Sequence, residues 1–178
     1  MPKKNVYWAD DAGNTQATGA WGQQLSGINY NVIRFADVLL MAAEAAVETG
    51  DLGTALANVN RVRERAMNSS YIQAIGGGGD AANYVIGLYS DFSSADMARS
   101  AVRFERRLEL GMEGHRLFDL RRWGNAKEVM TEYFANESRT ITNFGEKVSP
   151  YEDRHDMFPI PLTAIDLSGG ALTQNPGY

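Results

Sequence analysis

The chain has 178 residues, 44% of them hydrophobic and 22% charged, an ordinary globular composition long enough for one domain with a sizeable core. Its 17 Lys and Arg against 22 Asp and Glu give a net charge of −5, without the basic footprint of a nucleic-acid binder. It has no cysteine, which excludes disulfides, thiol nucleophiles and cysteine metal sites.

Residues 1–30 are rich in Asn, Gln, Gly, Thr and Asp, sustain no helix or strand period, and read as loop with one short extended piece. The opening MPKKNVYWADDAG lacks the apolar core of a signal peptide. Tyr7, Trp8, Trp21 and Tyr30 are scattered through this loop beside Gln23, Asn29 and Asn31. Such rings can stack on the C–H faces of sugars while amides read hydroxyls, or they can pin the loop onto helices behind it. Trp8, Trp21 and Tyr30 are the candidate ligand-binding residues.

Residues 31–67 predict a helical hairpin. Phe35, Leu39, Ala42, Ala43 and Ala46 share one face of the first helix, with Val32, Val38 and Leu40 widening it. Gly50 suits the left-handed position that ends a helix, and Asp51 suits the cap of the next. The second helix carries Leu52, Ala55, Leu56, Val59, Val62 and Ala66 on its inner stripe. A linker this short makes the pair antiparallel, and its length and small residues resemble one tetratricopeptide unit.

Residues 68–93 read as a loop insert. Gly76 to Gly79 lack the following Lys-Ser or Lys-Thr of a phosphate loop. Tyr84, Val85 and Leu88 suggest a short helical turn, and Ser93 or Ser94 caps what comes next. Residues 94–135 hold the longest charged amphipathic run. Met97, Ala101, Phe104, Leu108 and Met112 recur at helical spacing among Arg103, Glu105, Arg106, Arg107, Glu109 and Glu113. Gly114 breaks the run, and Leu117, Phe118, Leu120 and Trp123 open a second short helix. Val129, Met130, Tyr133 and Phe134 mark a third. In residues 136–178 helical period fades. Thr140 to Phe144 suit a short strand or extended loop, Phe158-Pro159-Ile160-Pro161 must be extended, and Thr163 can cap a last turn. The expected fold is mainly α: a tetratricopeptide-like hairpin, further packed helices, long loops and an irregular C-terminal segment, in a single domain spanning 1–178.

Charged residues intrude on the faces that must pack. At least two of Arg106, Arg107, Arg116 and Arg121 are therefore expected to be buried against Glu109, Glu113 or Asp119. Catalysis is not expected. Glu105, Glu109 and Glu113 stack along one helix rather than facing each other across a cleft, and H-E-x-x-H and G-x-S-x-G motifs are absent. His115 and His155 are too far apart for a local metal motif, and no cofactor or metal is called for. No apolar run approaches the roughly 18 residues of a membrane span.

The wording ERRLELGMEGHRLFDLRRWG at 105–124 resembles the signature of the SusD/RagB family, surface nutrient-binding lipoproteins of Bacteroidota. NVIRFADVLLMAAEAAVETGDLGTALANVNRVRERA is similar to the family's upstream helical pair. FPIPLTAIDL resembles its proline-containing segment, and LTQNPGY its usual ending. The resemblance implies that the chain is the C-terminal portion of a SusD-like protein located at the outer membrane on the cell surface. There the parent would capture glycans or related nutrients beside a SusC-type TonB-dependent transporter. By the same resemblance, Arg34, Glu44, Arg106, Glu109, Glu113, Arg116, Asp119 and Arg121 are structural rather than ligand-binding. The competing expectation is a tetratricopeptide-like protein-interaction module without sugar binding.

Overall fold

The computed structural model describes Lys4, the backbone of 16–18 and 24–26, and residues 30–178. Among these, the chain is mainly helical. Two short antiparallel strands, β1 (Gln16–Thr18) and β2 (Gln24–Ser26), pair with Ala17 opposite Leu25. Seven α-helices follow: α1 (Phe35–Glu48), α2 (Leu52–Met67), α3 (Ala95–Glu109), α4 (Arg116–Arg122), α5 (Ala126–Glu137), α6 (Phe144–Lys147) and α7 (Leu162–Leu167). A 3₁₀ turn spans Asp153–Asp156. The chain divides into two compact units, Met1–Gly114 and His115–Tyr178.

In the first unit, α1 and α2 form the tetratricopeptide-like hairpin. Thr49 closes α1, Gly50 takes φ +81°, and the Asp51 side chain accepts from the Thr54 N–H at 3.0 Å to start α2. That arrangement turns the chain in three residues with its orphan amide satisfied. Helix α3 packs on both partners. The shared core is Leu40, Ala43, Ala46 and Val47 from α1, Ala55, Val59 and Val62 from α2, Ala98, Ala101 and Val102 from α3, and Phe92. The α2 stripe is the one expected from spacing.

The other two helices depart from expectation in part. On α1 the expected Leu40, Ala43 and Ala46 are buried and Leu39 packs against the core, but Asp37 and Val47 join them, whereas Phe35 and Ala42 face outward. On α3 the buried line is Ala98, Ala101, Val102, Glu105 and Arg106, whereas Met97, Phe104 and Leu108 are exposed, as is Met112 in the turn after it. One cause serves both. Arg106 and Asp37 meet 2.8 Å apart with side chains 4% and 6% exposed, and seating that pair turns α3 by about one position and brings Asp37 of α1 into the core. Ser94 caps α3 by accepting from the Met97 N–H.

The 68–93 segment contains no helical turn. Asn60 on α2 donates to the Tyr89 carbonyl at 2.8 Å and accepts from the Tyr89 N–H at 2.9 Å. Arg63 donates to the Gly87 carbonyl. Side chains of α2 thus supply hydrogen bonds that a helix would have made internally. The four glycines 76–79 all take positive φ and turn the chain back, so that Gln73 bridges Asp80 and Tyr71 stacks on Tyr84 at 4.5 Å.

In the second unit α4 packs on α5, with Leu120 and Ala126 buried. Thr140 to Phe144 form turns leading into α6 rather than a strand, with the Phe144 ring edge-on to Phe134. Pro161, not Thr163, occupies the cap position of α7. The tail is fixed by Gln174, whose amide donates to the Ile160 carbonyl and accepts from its N–H. Asn175 donates to the Phe158 carbonyl and Tyr178 to that of Met157. No helix among the described residues is long and apolar enough to cross a membrane.

Candidate functional site

Helix α3 ends at Glu109 and runs into a tight turn in which Met112 takes φ +69° and Gly114 +81°. Two carboxylates, Glu109 and Glu113, bracket this turn. Arg34, the residue capping α1, reaches both. Its Nε and Nη2 donate to the two oxygens of Glu113 at 2.8 Å each, and its Nη1 donates to Glu109 at 2.9 Å. Nη2 also donates to the Glu109 carbonyl at 3.0 Å. A planar fork engaging a carboxylate through two bonds is the strong form of ion pair. Lys4 adds bonds to Glu113 at 2.6 Å and to the Glu109 and Gly111 carbonyls. Arg65 of α2 takes the other Glu109 oxygen at 2.7 Å.

Charges here are tuned by their neighbours. The hydrogen bonds that Arg34 donates to Glu113 raise the Arg34 pKa despite partial burial. Burial pushes the Glu113 carboxyl up, but the bonds from Arg34 and Lys4 together hold it below its ordinary range. Deeper in the core, burial raises the Glu105 pKa, and Arg63, 2.7 Å away, offsets only part of the rise. At the far end of α3, Arg99 grips both Glu48 oxygens at 2.8 and 3.0 Å.

Beside Arg34 lies a cleft of about 370 Å³ lined by Arg34, Phe35, Ala36, Leu39, Arg61, Val62 and Arg65. The Arg61 guanidinium stands 5.1 Å over the Phe35 ring. The floor is apolar and the rim carries three arginines. Glu105, Glu109 and Glu113 are all engaged by cations, so this arrangement suits binding rather than proton transfer. No group of three or more His, Asp or Glu among the described residues is placed to hold a metal.

The second unit has its own charged cluster. Arg116 and Arg122 stand over the Trp123 ring at 5.8 and 5.1 Å, and Arg122 pairs with the buried Asp119 at 2.9 Å. Arg121 donates to the Tyr151 hydroxyl at 3.3 Å and to the His155 carbonyl, and lies over Phe158.

The structure gathers Arg34, Glu109 and Glu113 into one clamp, and Arg116, Asp119 and Arg121 into the second-unit cluster. Arg106 is buried, and the pair it makes with Asp37 of α1 lies outside the expected set; Arg107 is exposed. Glu44 is half-buried on α1. Tyr30 is 68% exposed, with its hydroxyl 3.4 Å from the Glu113 carbonyl. Trp8 and Trp21 lie outside the described residues. Sequence reasoning missed Asp37, Lys4, Arg61, Arg63 and Arg65 as partners. Asp37 alone carried a signal, as a lone charge inside the apolar run FADVLL.

The profile of the SusD family matches residues 2–178. Two SusD-like proteins of Formosa agariphila, P2 and P25, are 31% and 32% identical to the chain over 154 and 153 residues. These alignments cover 86% and 84% of the chain, but only 26% and 25% of the relatives, so the chain spans about a quarter of their length. Among solved structures, a SusD homologue from Bacteroides thetaiotaomicron matches with TM-score 0.65 and 28% identity, over 86% of this chain and 28% of that one. A SusD superfamily protein from Bacteroides vulgatus matches with TM-score 0.57 and 27% identity, over 85% and 28%.

Proposed function

The chain belongs to the SusD family, and on that premise we propose that it takes part in capturing glycans or related nutrients at the cell surface. Its partner in uptake is a SusC-type TonB-dependent transporter of the outer membrane. The observation that carries this reading is the family match along residues 2–178, together with the use of the resemblance-bearing residues Arg34, Glu109 and Glu113 as a clamp. Those residues are consumed in holding α1 to the end of α3. Ligand contact then falls to residues outside the clamp, and we assign it to Trp8, Trp21 and Tyr30. No catalytic step is assigned.

A glycan-array screen of the chain, repeated on Trp8→Ala and Trp21→Ala, tests the proposal. Binding by the parent chain that is lost in either variant supports it. Binding that survives both substitutions refutes the loop assignment, and no binding by any version refutes a sugar site in this chain. One observation favours the protein-interaction reading instead: Val32, Ile33, Phe35, Val38 and Met41 are exposed on and just before α1. Specific retention of a peptide, with no glycan retained, would select it.

A further inference from the structure

The cleft beside Arg34 has more cations than its carboxylates can use. Glu113 is occupied by Arg34 and Lys4, and Glu109 by Arg34 and Arg65. Arg61 completes the rim, and no carboxylate or carbonyl accepts from it among the described residues. It is held over the Phe35 ring at 5.1 Å, a contact that fixes a guanidinium without using its N–H donors. Below it, Phe35, Ala36, Leu39 and Val62 offer an apolar floor, and the volume of about 370 Å³ lies within the range of small-molecule pockets. A ligand that fits must bring a planar or tetrahedral anion to Arg61 and an apolar face to the floor. Carboxylates and sulfates match the guanidinium fork, and the C–H face of a pyranose matches the floor.

We propose that this cleft is a binding subsite for an acidic sugar, with Arg61 as the residue that reads the carboxylate or sulfate. The proposal rests on the glycan-binding reading above and names its substrate class. It also separates two arginine roles. Arg34 is a positioning residue spent on Glu109 and Glu113, whereas Arg61 is exposed and outside every salt bridge described for the first unit.

The test is calorimetric titration of the full chain with an oligosaccharide of glucuronic acid, a glucose oligosaccharide of equal length, and sodium sulfate. Each is repeated on Arg61→Gln, with unfolding temperature confirming that the variant folds. The expected result is tighter binding of the acidic than of the neutral oligosaccharide, and a loss of about tenfold or more for the acidic one in Arg61→Gln. Neutral binding should be unchanged. Equal affinity for both oligosaccharides, or an acidic affinity indifferent to Arg61→Gln, overturns the subsite and leaves the glycan reading standing. Sulfate binding as tight as the acidic oligosaccharide overturns the sugar part. No binding of either oligosaccharide overturns the subsite, and the glycan reading stands or falls by the array screen.

Discussion

Arg106 and Asp37 show how a single buried pair can set a fold's geometry. Both side chains are almost fully enclosed, and their 2.8 Å contact links α3 to α1. Truncating either partner breaks a buried ion pair, which typically costs about 3–5 kcal/mol. Chemical denaturation of Arg106→Ala and Asp37→Ala should show losses of that size; changes near the ~0.5 kcal/mol of an ordinary surface substitution would refute the pair's role. Glu113 and Glu105 have pKa values shifted in opposite directions. Glu113 is held below its ordinary range, so it stabilises the folded state above that range, and this contribution is lost as pH falls through its folded value. Glu105 is raised by burial, so the folded state keeps its proton just above the ordinary range, and stability from this site falls as pH rises through that window. Melting temperatures followed from neutral to acid pH should therefore drop less steeply in Glu113→Gln than in the parent. Parallel acid limbs would mean that the Arg34 and Lys4 contacts do not stabilise the charge.

The hairpin was the most legible element, because its signals were local. Gly50 and Asp51 announced the turn, and the α2 stripe at 52, 55, 59 and 62 follows helical spacing without an intruding charge. Asp51→Ala should cost about 1 kcal/mol through the lost Thr54 cap, readable by thermal unfolding. Helix α3 was legible as a helix but not in its orientation. Its apolar residues at 97, 104 and 108 look like a core face, yet the core takes Glu105 and Arg106, whose partners Arg63 and Asp37 lie 42 and 69 residues away in sequence. No periodicity argument reaches that far. The same reason hid the clamp, since Lys4, Arg34 and Arg65 converge on Glu109 and Glu113 only after the hairpin is folded. A paired truncation checks the assigned faces. Leu40→Ala, at a site with no exposure, should cost about 2–5 kcal/mol, whereas Leu108→Ala, at 54% exposure, should cost far less. Equal costs would contradict the observed rotation of α3.

For the whole molecule, these departures leave apolar side chains facing outward in the first unit: Val32, Ile33, Phe35, Val38 and Met41 near α1, and Phe104, Leu108 and Met112 along α3 and the turn after it. Surfaces of that kind favour association. Sedimentation of the isolated chain should show its average mass rising with concentration, and a monomer at every concentration would contradict that expectation. The assignment of sugar contact to the N-terminal loop can be read through the chain's 3 tryptophans, Trp8, Trp21 and Trp123. Trp123 has Arg116 and Arg122 over its ring and lies outside the proposed ligand contacts. The most direct measurement of the central claim is a fluorescence titration of the chain with a glycan retained on the array, set beside the Trp8→Ala/Trp21→Ala double variant. The account predicts a saturable change in tryptophan emission in the parent chain and none in the variant, where only Trp123 remains. A saturable change that persists in the variant, or its absence from the parent, would contradict glycan capture through these residues.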